Sequence, residues 1–527
     1  MLRIGLLLDG ASVARWQAEA LLTLAGEAEF VVYGNTAPAA TRRPLRHAFY
    51  YLLNLFTVRN RMTRRVPLPA GLRIAGTTTF TALPEGRWET LPPELISLIA
   101  ADRLDLLVRF GSGLLRVPPA NLVAIPILSY HHGDPARFRG RPAGFHELAQ
   151  GEPTVGQIVQ ILSNRLDSGR IVAQAETRAV AHSYRATLIE AYRHSPLLLR
   201  TAVRNALAGT SWEPEQWGTA YRLPGNFAVA RFVAARVRAT LRHWLYGLTR
   251  EKKWSVATAP APEPLTLERL ADRLTDEAQW EPVATPAGYR FLADPFFDAE
   301  GGILAEAMSS ASGRGEIVRI SGTAVTRLSG RGGHFSYPSV IDDRVVPETS
   351  DWSAPAAYPL LGDRLGEPVA LDIPGRPRLL DPTAVRHDGA VFLFGNVAGE
   401  GQSVLRLWVA DSLDGRFAEH PASPLRISPN GSRMAGTLLE LDDGLVRVGQ
   451  DLRRGYGDGI SLFRVTRMDR QGYEETEAGT LRFADRRGPH TLNVARGRMA
   501  FDHYHDSFSL LAGVRRWTER RSARRIG

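Results

Sequence analysis

The spacing of apolar residues changes once along this chain, near residue 265. Before that point, long segments with apolar residues at helical spacing alternate with short apolar runs, which is typical of α/β folds. After about residue 278, short alternating runs such as 302–306, 390–394 and 404–409 are separated by glycine, aspartate and proline. A chain of 527 residues is too long for one hydrophobic core. The sequence therefore predicts an α/β domain followed by an all-β domain.

The first half predicts a parallel, Rossmann-like sheet. Four apolar runs are continuous rather than alternating, as expected of strands that are buried on both faces. The predicted strands are residues 3–8, 29–33, 104–110 and 122–128, and the predicted helices are residues 12–22, capped by Ser12, and 186–208. Strands separated by helices favour right-handed crossovers between parallel strands.

Residues 226–250 predict a basic amphipathic helix. Its apolar residues at helical spacing are Val229, Val233, Val237, Leu241, Trp244, Leu245 and Leu248, and Arg231, Arg236, Arg238 and Arg242 lie between them. Such a helix either packs against a domain or makes peripheral contact with a membrane. We favour packing, because any surface helix is amphipathic.

Residues 257–264 are rich in proline and alanine and predict a stiff linker. The expected domains are therefore residues 1–210, an α/β domain; 211–265, the basic helix and linker; and 266–527, the all-β domain. The last of these is long enough for about five blades of four strands at roughly 45–50 residues per blade. A five-bladed β-propeller is the predicted fold, with a large sandwich as the alternative.

Composition narrows the function classes. The net charge is +10, but lysine occurs only at Lys252 and Lys253, so the excess is almost entirely arginine, and we expect no nucleic-acid partner. The chain has no cysteine, which excludes disulfides, thiolate metal sites and cysteine nucleophiles. The amino terminus lacks the pattern of a secretory signal, and no apolar run approaches the roughly 20 residues that span a bilayer. We expect a cytoplasmic protein.

One segment between Ile127 and Val172 concentrates polar residues and glycines. It contains Ser129-Tyr130-His131-His132-Gly133-Asp134-Pro135, Arg137-Phe138-Arg139-Gly140, Glu152-Pro153-Thr154-Val155-Gly156 and Leu166-Asp167-Ser168-Gly169. The order of these motifs resembles the folate-dependent formyltransferase family, which carries an Asn-x-His, an Arg-Gly, a Thr-Gly pair and an Asp-x-Gly. The spacing from histidine to aspartate also matches that of the family, at 167 − 131 = 36 residues.

The resemblance covers about residues 1–210 and implies transfer of a formyl group from 10-formyltetrahydrofolate to an amine. That chemistry needs a donor facing an oxyanion and an acceptor for the amine proton. The resemblance implies that His131, Asp167 and Ser129 are catalytic. It further implies that the formyl donor is bound by Arg109, Gly111, Arg139, Gly140 and Gly169.

Two departures from the family pattern bear on the reaction. Ser129 stands where the family has asparagine, and loss of one oxyanion donor typically costs about 10²–10³ in rate. His132 is the candidate replacement donor, and Asp134 is a candidate for binding a cationic amine. We expect no metal, since adjacent histidines in a strand point to opposite faces.

The second half carries repeated polar motifs near predicted strand starts, several of them Asp-Pro. The candidate substrate-binding residues there are Asp294, Glu306, His334, Tyr337, Asp381, Arg433 and His490. These motifs resemble the five-bladed propellers of furanosidase-type glycoside hydrolases and, more closely, the N-terminal domain of plant glucosamine inositolphosphorylceramide transferases.

That second resemblance implies carboxylates aimed at a central funnel, with Asp294 and Asp381 as candidates and Glu306 or Glu348 as the acid. Leu380 stands where the hydrolases carry arginine, and Asp-Pro also starts ordinary turns. Trp352 and Trp408 are either sugar-stacking or core residues.

The sequence thus predicts N-formylation of an amino sugar or glycoconjugate, with the propeller binding the glycan. The alternative is a glycan-binding or glycan-processing protein whose formyltransferase fold is catalytically altered. Formylation of methionyl-tRNA is a third interpretation. It is disfavoured because the tRNA enzymes carry a small barrel where this chain predicts a propeller.

Overall fold

The computed structural model describes residues 1–37, 44–111, 113–119, 121–329, 333–349 and 354–517. The chain forms two compact units, Met1–Leu241 and Arg242–Gly527. The division falls inside one helix, so the segment 211–241, predicted as part of a connector, belongs to the first unit.

The first unit is built on a seven-stranded, mostly parallel sheet. In spatial order its strands are Arg73–Phe80, Ala28–Asn35, Leu2–Asp9, Leu106–Phe110, Ile127–His131, Thr154–Ile161 and Arg170–Arg178. The last two strands pair antiparallel and the first five pair parallel. The strand order reverses direction at Leu2–Asp9, which creates the switch point of a Rossmann-like fold and confirms the predicted class.

The α-helices among the described residues that belong to or begin in this unit are α1 Arg15–Leu22, α2 Ala48–Phe56, α3 Pro93–Ala101, α4 Phe145–Gln150, α5 Tyr184–Leu207 and α6 Asn226–Thr249. Leu95 and Ile99 of α3 pack against Leu7 and Leu107 on one face of the sheet. Helix α5 packs against α1 and the two antiparallel strands. Short strand pairs complete the unit: Ser12–Ala14 with Arg65–Pro67, Leu83–Glu85 with Trp88–Thr90, and Phe138–Gly140 with Thr219–Tyr221.

Two predicted boundaries in this unit are wrong. Ser12 begins a short strand, and α1 starts at Arg15, where the Gln17 side chain accepts the Ala14 N–H at 2.7 Å. The strand predicted at 122–128 begins only at Ile127. Pro126 immediately precedes it and has no backbone N–H to donate to a sheet ladder.

The second unit is a five-bladed β-propeller, as predicted. Blade 1 consists of the strands Tyr289–Phe297, Ile303–Ser309, Gly315–Ser321 and Ala324–Arg327. Blade 2 consists of Phe335–Ile341, Arg344–Thr349 and Ala356–Leu361, with the short strands Arg364–Leu365 and Val369–Ala370. Blade 3 consists of Leu379–His387, Ala390–Val397 and Val404–Ala410, with the short strands Ala418–Glu419 and Arg426–Ile427, and blade 4 consists of Asn430–Met434, Gly444–Asp451, Ile460–Met468 and Tyr473–Leu481, with the short strand Leu439–Leu441.

Blade 5 closes the ring with strands from both ends of the unit. Its strands, from inside to outside, are Leu492–Ala495, Arg498–Phe508, Arg250–Pro260 and Glu281–Val283, and helix α7 (Leu267–Thr275) lies between the last two in sequence. Residues Arg250–Pro260 pair with Arg498–Phe508 along their whole length, and Ala257 and Ala259 are buried. The prediction of a linker is therefore wrong for residues 257–260, and the propeller begins earlier than residue 266. The composition of this segment is typical of a linker, but small residues also fit a tightly packed strand, so composition alone does not distinguish the two.

Candidate functional site

His131 ends the strand Ile127–His131 at the carboxyl edge of the sheet, where open α/β sheets bind ligands. Its Nδ1 lies 3.5 Å from Asp167 Oδ1, and its Nε2 donates to the Phe138 carbonyl at 3.2 Å. Both partners accept hydrogen bonds, so the ring satisfies both only when each nitrogen carries hydrogen. The fold therefore brings His131 and Asp167 into contact, as the resemblance to the formyltransferase family implies.

Asp167 is held by a network that closes its loop. Its backbone is left-handed, with φ 44°, and its Oδ2 accepts the Gly140 N–H at 2.9 Å. Arg139 donates to Ser168 Oγ at 2.6 Å and to the Gly218 carbonyl at 2.8 Å. The Arg-Gly and Asp-x-Gly motifs are thus tied to each other through side-chain contacts.

Two glycines of these motifs are required by close backbone approach. Gly140 has φ +87°, and a Cβ there would lie 2.1 Å from the Tyr221 carbonyl oxygen. A Cβ on Gly169 would lie 2.0 Å from the Ile161 carbonyl oxygen, and the Gly169 N–H donates to Gln160 at 2.9 Å. Both glycines shape the loops around Asp167, and their binding of the formyl donor stays a prediction.

Ser129 lies two residues before His131 on the same strand, so both side chains point to the same face. Both are largely buried. Ser129 is directly opposite Arg109 of the neighbouring parallel strand. One face at the carboxyl edge therefore presents a hydroxyl and an imidazole, both of which can donate to an oxygen.

Arg109 and Gly111 lie beside this pair at the end of the neighbouring strand. Arg109 donates to the Gly113 carbonyl at 2.6 Å. Burial lowers the pKa of its guanidinium, and the charges of Asp9 and Glu89 oppose that effect. A Cβ on Gly111 would lie 3.0 Å from the same guanidinium. Arg109 is thus engaged by protein groups that position it at the switch point.

His132 points away from His131, on the opposite face of the strand. Its Nε2 lies 2.9 Å from Ser195 Oγ of α5, and its ring packs edge-on against Trp16 with centroids 5.3 Å apart. Burial and the neighbouring charge of His131 lower its pKa to about 3, so its ring is neutral at ordinary pH. The structure therefore separates His132 from the pair that it was predicted to assist.

Asp134 begins the turn that follows the histidines. Its Oδ1 accepts the Ala136 N–H at 2.9 Å, and its carbonyl accepts the Phe138 N–H at 2.6 Å. A nearby carboxyl that the sequence reasoning missed is Glu147, which α4 buries almost completely. Burial raises the pKa of Glu147 to about 7, and the charge of Asp134 adds to the shift. No sequence motif marks a buried titratable group of this kind, and α4, with only six residues, is too short to show helical periodicity in the sequence.

In the propeller, the innermost strands of four blades share a backbone irregularity near their start. The pairing register shifts there, and the residue at the shift is left-handed: Asp294 with φ 51°, Tyr337 with φ 47°, Asp381 with φ 44° and Gly431 with φ 76°. Non-glycine residues rarely adopt such φ values, and β-bulges re-aim side chains. The shared irregularity places the predicted residues Asp294, Tyr337 and Asp381 at the same end of the blades.

Asp294, His490 and Asp502 form a buried triad between blades 1 and 5. His490 Nδ1 lies 3.2 Å from both Asp294 Oδ1 and Asp502 Oδ2, and Thr491 Oγ1 donates to Asp294 Oδ1 at 2.8 Å. Burial alone would lower the pKa of His490, but Asp502 and Asp294 outweigh it and raise the pKa to about 10. A protonated imidazole therefore sits between two carboxylates.

The triad has the side-chain types of a metal site, with three ligand atoms within 4.8 Å of one another. Asp502, however, accepts backbone N–H groups on both oxygens: Thr491 at 2.7 Å and His490 at 3.1 Å on Oδ1, and Asp294 at 3.0 Å on Oδ2. Both oxygens of Asp502 are therefore engaged by backbone donors and Nδ1 of His490 by two carboxylates, whereas the buried Nε2 of His490 has no hydrogen-bond partner among the described residues.

A second ion pair joins blades 3 and 4. Arg433 donates to both oxygens of Asp381, at 2.5 and 2.9 Å, and Gln450 donates to Asp381 at 2.7 Å. Glu348 of blade 2 lies 3.5 Å from Arg433 and accepts the Asp381 N–H at 3.1 Å. Burial by itself lowers the pKa of the Arg433 guanidinium, but the charge of Asp381 outweighs burial and holds this pKa well above its usual range.

Two glutamates complete the acidic set. Burial raises the pKa of Glu348 to about 7, with Arg433 opposing and Asp381 adding to the shift. Burial raises the pKa of Glu306 as well, and the charges of Asp294 and Glu348 raise it further. His334 Nε2 lies 3.9 Å from Glu306 Oε1, while its Nδ1 accepts the Gly315 N–H at 2.7 Å. The structure thus gathers the Asp294–His490–Asp502 triad, the Asp381–Arg433 ion pair and two glutamates whose pKa values are raised by burial.

Tyr337 is fully buried, and its hydroxyl accepts the Gly436 N–H at 2.8 Å. Burial raises its pKa well above the usual range. The indole of Trp408 is also buried, in the core between blades 2 and 3. Of its two predicted roles, sugar stacking or core packing, the structure therefore shows core packing. Trp352 lies outside the described residues.

Sequence reasoning missed several members of this cluster, including Asp502, Gln450 and Tyr456. The Tyr456 ring lies between His490, at 4.8 Å between centroids, and the Arg433 guanidinium, at 5.2 Å. These residues lie on second strands or in loops, outside the Asp-Pro motifs. Since hairpin lengths differ between blades, no constant spacing relates them to the inner strands.

A family model described as glucosamine inositolphosphorylceramide transferase 1, N-terminal, matches residues 334–506. A curated relative named glucosamine inositolphosphorylceramide transferase 1, from Arabidopsis thaliana, is 25% identical over 296 residues, covering 50% of this chain and 38% of the relative. Its namesake from Oryza sativa subsp. japonica is 26% identical over 261 residues, covering 43% of this chain and 34% of the relative. The chain thus spans well under half the length of these relatives.

Solved structures similar to the chain include glycinamide ribonucleotide transformylase 1 from Symbiobacterium toebii, at 21% identity and a TM-score of 0.25, covering 40% of this chain and 89% of that one. Another is an N-formyltransferase from Helicobacter canadensis in complex with folinic acid and dTDP-3-aminofucose, at 10% identity and a TM-score of 0.28, covering 46% and 82%. TM-scores of this size carry no argument about function. The Rossmann-like fold of the first unit rests on its strand order.

Proposed function

We propose that the first unit transfers a formyl group from 10-formyltetrahydrofolate to the amine of an amino sugar or glycoconjugate, and that the propeller binds the glycan. The observation that carries the proposal is the contact of His131 Nδ1 with Asp167 Oδ1 at 3.5 Å, at the carboxyl edge of the sheet. The order and spacing of the surrounding motifs match the family that performs this reaction.

The donor set on this face suits the reaction. When bound, 10-formyltetrahydrofolate supplies the formyl carbon that the amine attacks. Ser129 lies on the same strand face as His131, and its hydroxyl can donate to the oxygen on which negative charge develops. The Nε2–H of His131 can donate to the same oxygen when it gives up its hydrogen bond to the Phe138 carbonyl, and Asp167 keeps the ring oriented through Nδ1.

Asp167 also offers a route for the amine proton. Its side chain is 19% exposed, whereas that of His131 is only 7% exposed. The His131 nitrogens both face acceptors, so in this geometry the ring donates rather than accepts. We therefore assign acceptance of the amine proton to the Asp167 carboxylate, directly or through water.

The propeller supports a sugar-bearing acceptor. Its family match and the name of the curated relatives, which includes glucosamine, both point to amino-sugar chemistry. Blades 1 to 3 bring together the carboxyl groups of Asp294, Glu306, Glu348 and Asp381, and carboxyl groups can exchange hydrogen bonds with sugar hydroxyls. The acceptor is accordingly proposed to be a sugar rather than a tRNA.

The test uses the full chain with 10-formyltetrahydrofolate and a panel of nucleotide-linked and free amino sugars. Product formamide is followed by mass spectrometry, and folate binding is followed separately by calorimetry with 5-formyltetrahydrofolate. We expect turnover with an amino sugar that is lost in His131→Ala and Asp167→Asn. The matched control is His387→Ala, which removes a partly exposed histidine 3.6 Å from Asp388. Absence of both turnover and folate binding would overturn the proposal.

A second candidate function is glycan processing by the propeller itself. The observation that favours it is Glu348, whose pKa burial raises to about 7 and which lies beside Asp381, whose N–H it accepts at 3.1 Å. A carboxyl that retains its proton near neutral pH next to a carboxylate is the arrangement used in glycoside hydrolysis. Release of reducing sugar that is abolished by both Glu348→Gln and Asp381→Asn, and unaffected by His131→Ala, would establish this function instead.

A further inference from the structure

Helix α6 has two apolar faces, and only one of them packs against protein. Val229 and Phe232 are buried. The Phe232 ring stacks on Phe145 with centroids 4.2 Å apart and meets Tyr184 edge-on at 5.4 Å. The prediction that the apolar residues of this helix pack against a domain therefore holds only for its first turns.

The second face is an exposed apolar stripe along the helix. Its members are three or four residues apart, except for the adjacent Trp244 and Leu245, and they all lie within about 100° of one another around the helix axis. The stripe consists of Phe227, Ala230, Ala234, Val237, Leu241, Trp244, Leu245 and Leu248. Its large members are 54–83% exposed, at Val237 and Phe227 respectively. Exposed apolar patches of this kind mark interaction surfaces.

Arginines border the stripe, and acidic residues are absent from the segment. Arg231, Arg238 and Arg242 are exposed and recur at helical spacing along one side of the stripe. Between Glu215 and Glu251 the sequence contains no aspartate or glutamate. The charged residues of the helix itself are therefore all basic, and the acidic residues in contact with this region are Asp506, which accepts from Tyr246, and Glu251, which pairs with Arg515.

A second apolar segment packs against the end of α6 within the propeller unit. Phe508, Leu510, Leu511, Val514 and Trp517 are all more than half exposed. The segment is tied to the helix by Arg516, which donates to the Arg250 carbonyl at 2.6 Å, and by the Ser509 N–H, which donates to the Thr249 carbonyl at 2.9 Å. Arg515 and Arg516 again accompany the apolar residues.

We propose that α6 and residues 508–517 dock on the surface of an anionic lipid bilayer. An amphipathic helix with a Trp/Leu/Val/Phe face and an arginine border inserts its apolar side at the headgroup boundary while its arginines contact lipid phosphates. Among the described residues no helix is both long and apolar enough to cross a membrane, so the contact is peripheral.

The arginines beside the stripe favour an anionic lipid surface over a second copy of the chain as its binding partner. A symmetric dimer through the stripe would bring the same surface of both copies together, and with it two rows of arginine without an acidic residue on either helix. Nucleic acid would satisfy the arginines but would leave the apolar stripe in water. An anionic bilayer satisfies both the charge and the apolar area.

The test is flotation of the full chain with vesicles of phosphatidylcholine alone or mixed with phosphatidylglycerol, at low and high salt. We expect binding to the mixed vesicles that weakens at high salt. Leu241→Glu/Leu245→Glu should reduce binding at least about tenfold, and Arg238→Ser/Arg242→Ser should reduce it to a similar extent. The matched controls are Leu361→Glu and Arg364→Ser, at exposed positions of blade 2, which should bind like the unmodified chain.

Each outcome bears on the proposal. Because the substituted residues are exposed, thermal unfolding of the variants should match that of the unmodified chain, which keeps loss of binding separate from misfolding. No binding to mixed vesicles, or binding that the α6 variants leave unchanged, overturns the proposal. A dimer in solution that Leu241→Glu/Leu245→Glu converts to monomer, without vesicle binding, also overturns it and assigns the stripe to a second copy.

Discussion

Arg433 of blade 4 holds both carboxylate oxygens of Asp381 of blade 3, at 2.5 and 2.9 Å. The two residues are 52 positions apart in sequence, and both side chains are more than nine-tenths buried. A paired charge of this kind is stable only while both partners remain, because an isolated charge cannot be left in a dry interior.

We expect Arg433→Met to lower the free energy of unfolding by about 3–5 kcal/mol, since it leaves the Asp381 carboxylate buried with Gln450 as its main donor. The control is Arg386→Met, which removes a similar contact with Asp342 at 2.6 Å between half-exposed side chains and should cost at most about 1 kcal/mol. Urea unfolding of both variants measures the difference. Equal losses would contradict the role assigned to burial.

The contribution of His490 to stability should depend on pH. Its pKa is raised from 6.5 to about 10 in the folded protein, so its stabilising charge is fully present below about pH 6.5 and is lost as the pH rises through about 10. We expect the difference in unfolding free energy between the unmodified chain and His490→Gln to be largest below about pH 6.5 and to shrink steadily as the pH rises from about 6.5 to about 10. Denaturant titrations across this range measure it, and a constant difference would refute the ion triad.

Ionisation of Glu147 should destabilise the folded state as the pH rises. Burial raises its pKa from 4.5 to about 7, so the folded state loses stability relative to the unfolded chain as the pH rises from about 4.5 through 7. Glu147→Gln removes this loss and should gain on the order of 2–3 kcal/mol over the unmodified chain between pH 5 and pH 8. The exposed Glu213→Gln serves as the control and should show no such gain.

Gly140 should be intolerant of any side chain. It combines φ +87° with a neighbouring carbonyl that a Cβ would approach to 2.1 Å, so Gly140→Ala must displace the backbone that holds Asp167. Gly151 has φ +80° but open space around it, so Gly151→Ala should cost only the conformational strain of about 1–2 kcal/mol. We expect the first variant to lose clearly more stability than the second in thermal unfolding. Similar losses would mean that the contact relaxes without cost.

Ser129 provides a test of the proposed chemistry. If its hydroxyl faces the developing negative charge, Ser129→Ala should lower kcat by about 10²–10³ with little change in folate affinity. Ser97→Ala, on an exposed turn of α3, is the control. Formamide formation under saturating donor gives kcat, and calorimetry gives the affinity. A Ser129→Ala variant with unchanged kcat would remove this residue from the mechanism.

The sequence by itself determined the local architecture and the chemistry of the motifs. The pairing of His131 with Asp167 was implied by the resemblance to the formyltransferase family, which has the same 36-residue spacing. Continuous apolar runs marked the parallel strands, and alternating runs with Asp-Pro turns marked the blades. These features depend on side-chain periodicity and on turn preferences that act over a few residues, so they can be read from the chain directly.

Only the tertiary structure decided which distant residues meet. Blade 5 joins Arg250–Pro260 to Arg498–Phe508, which brings Asp502 to Asp294 and His490, and no local pattern encodes a pairing across nearly the whole unit. The same holds for α6, whose apolar residues look equivalent in sequence although only Val229 and Phe232 are covered. Burial depends on what the rest of the chain places against a surface, and periodicity alone does not carry that information.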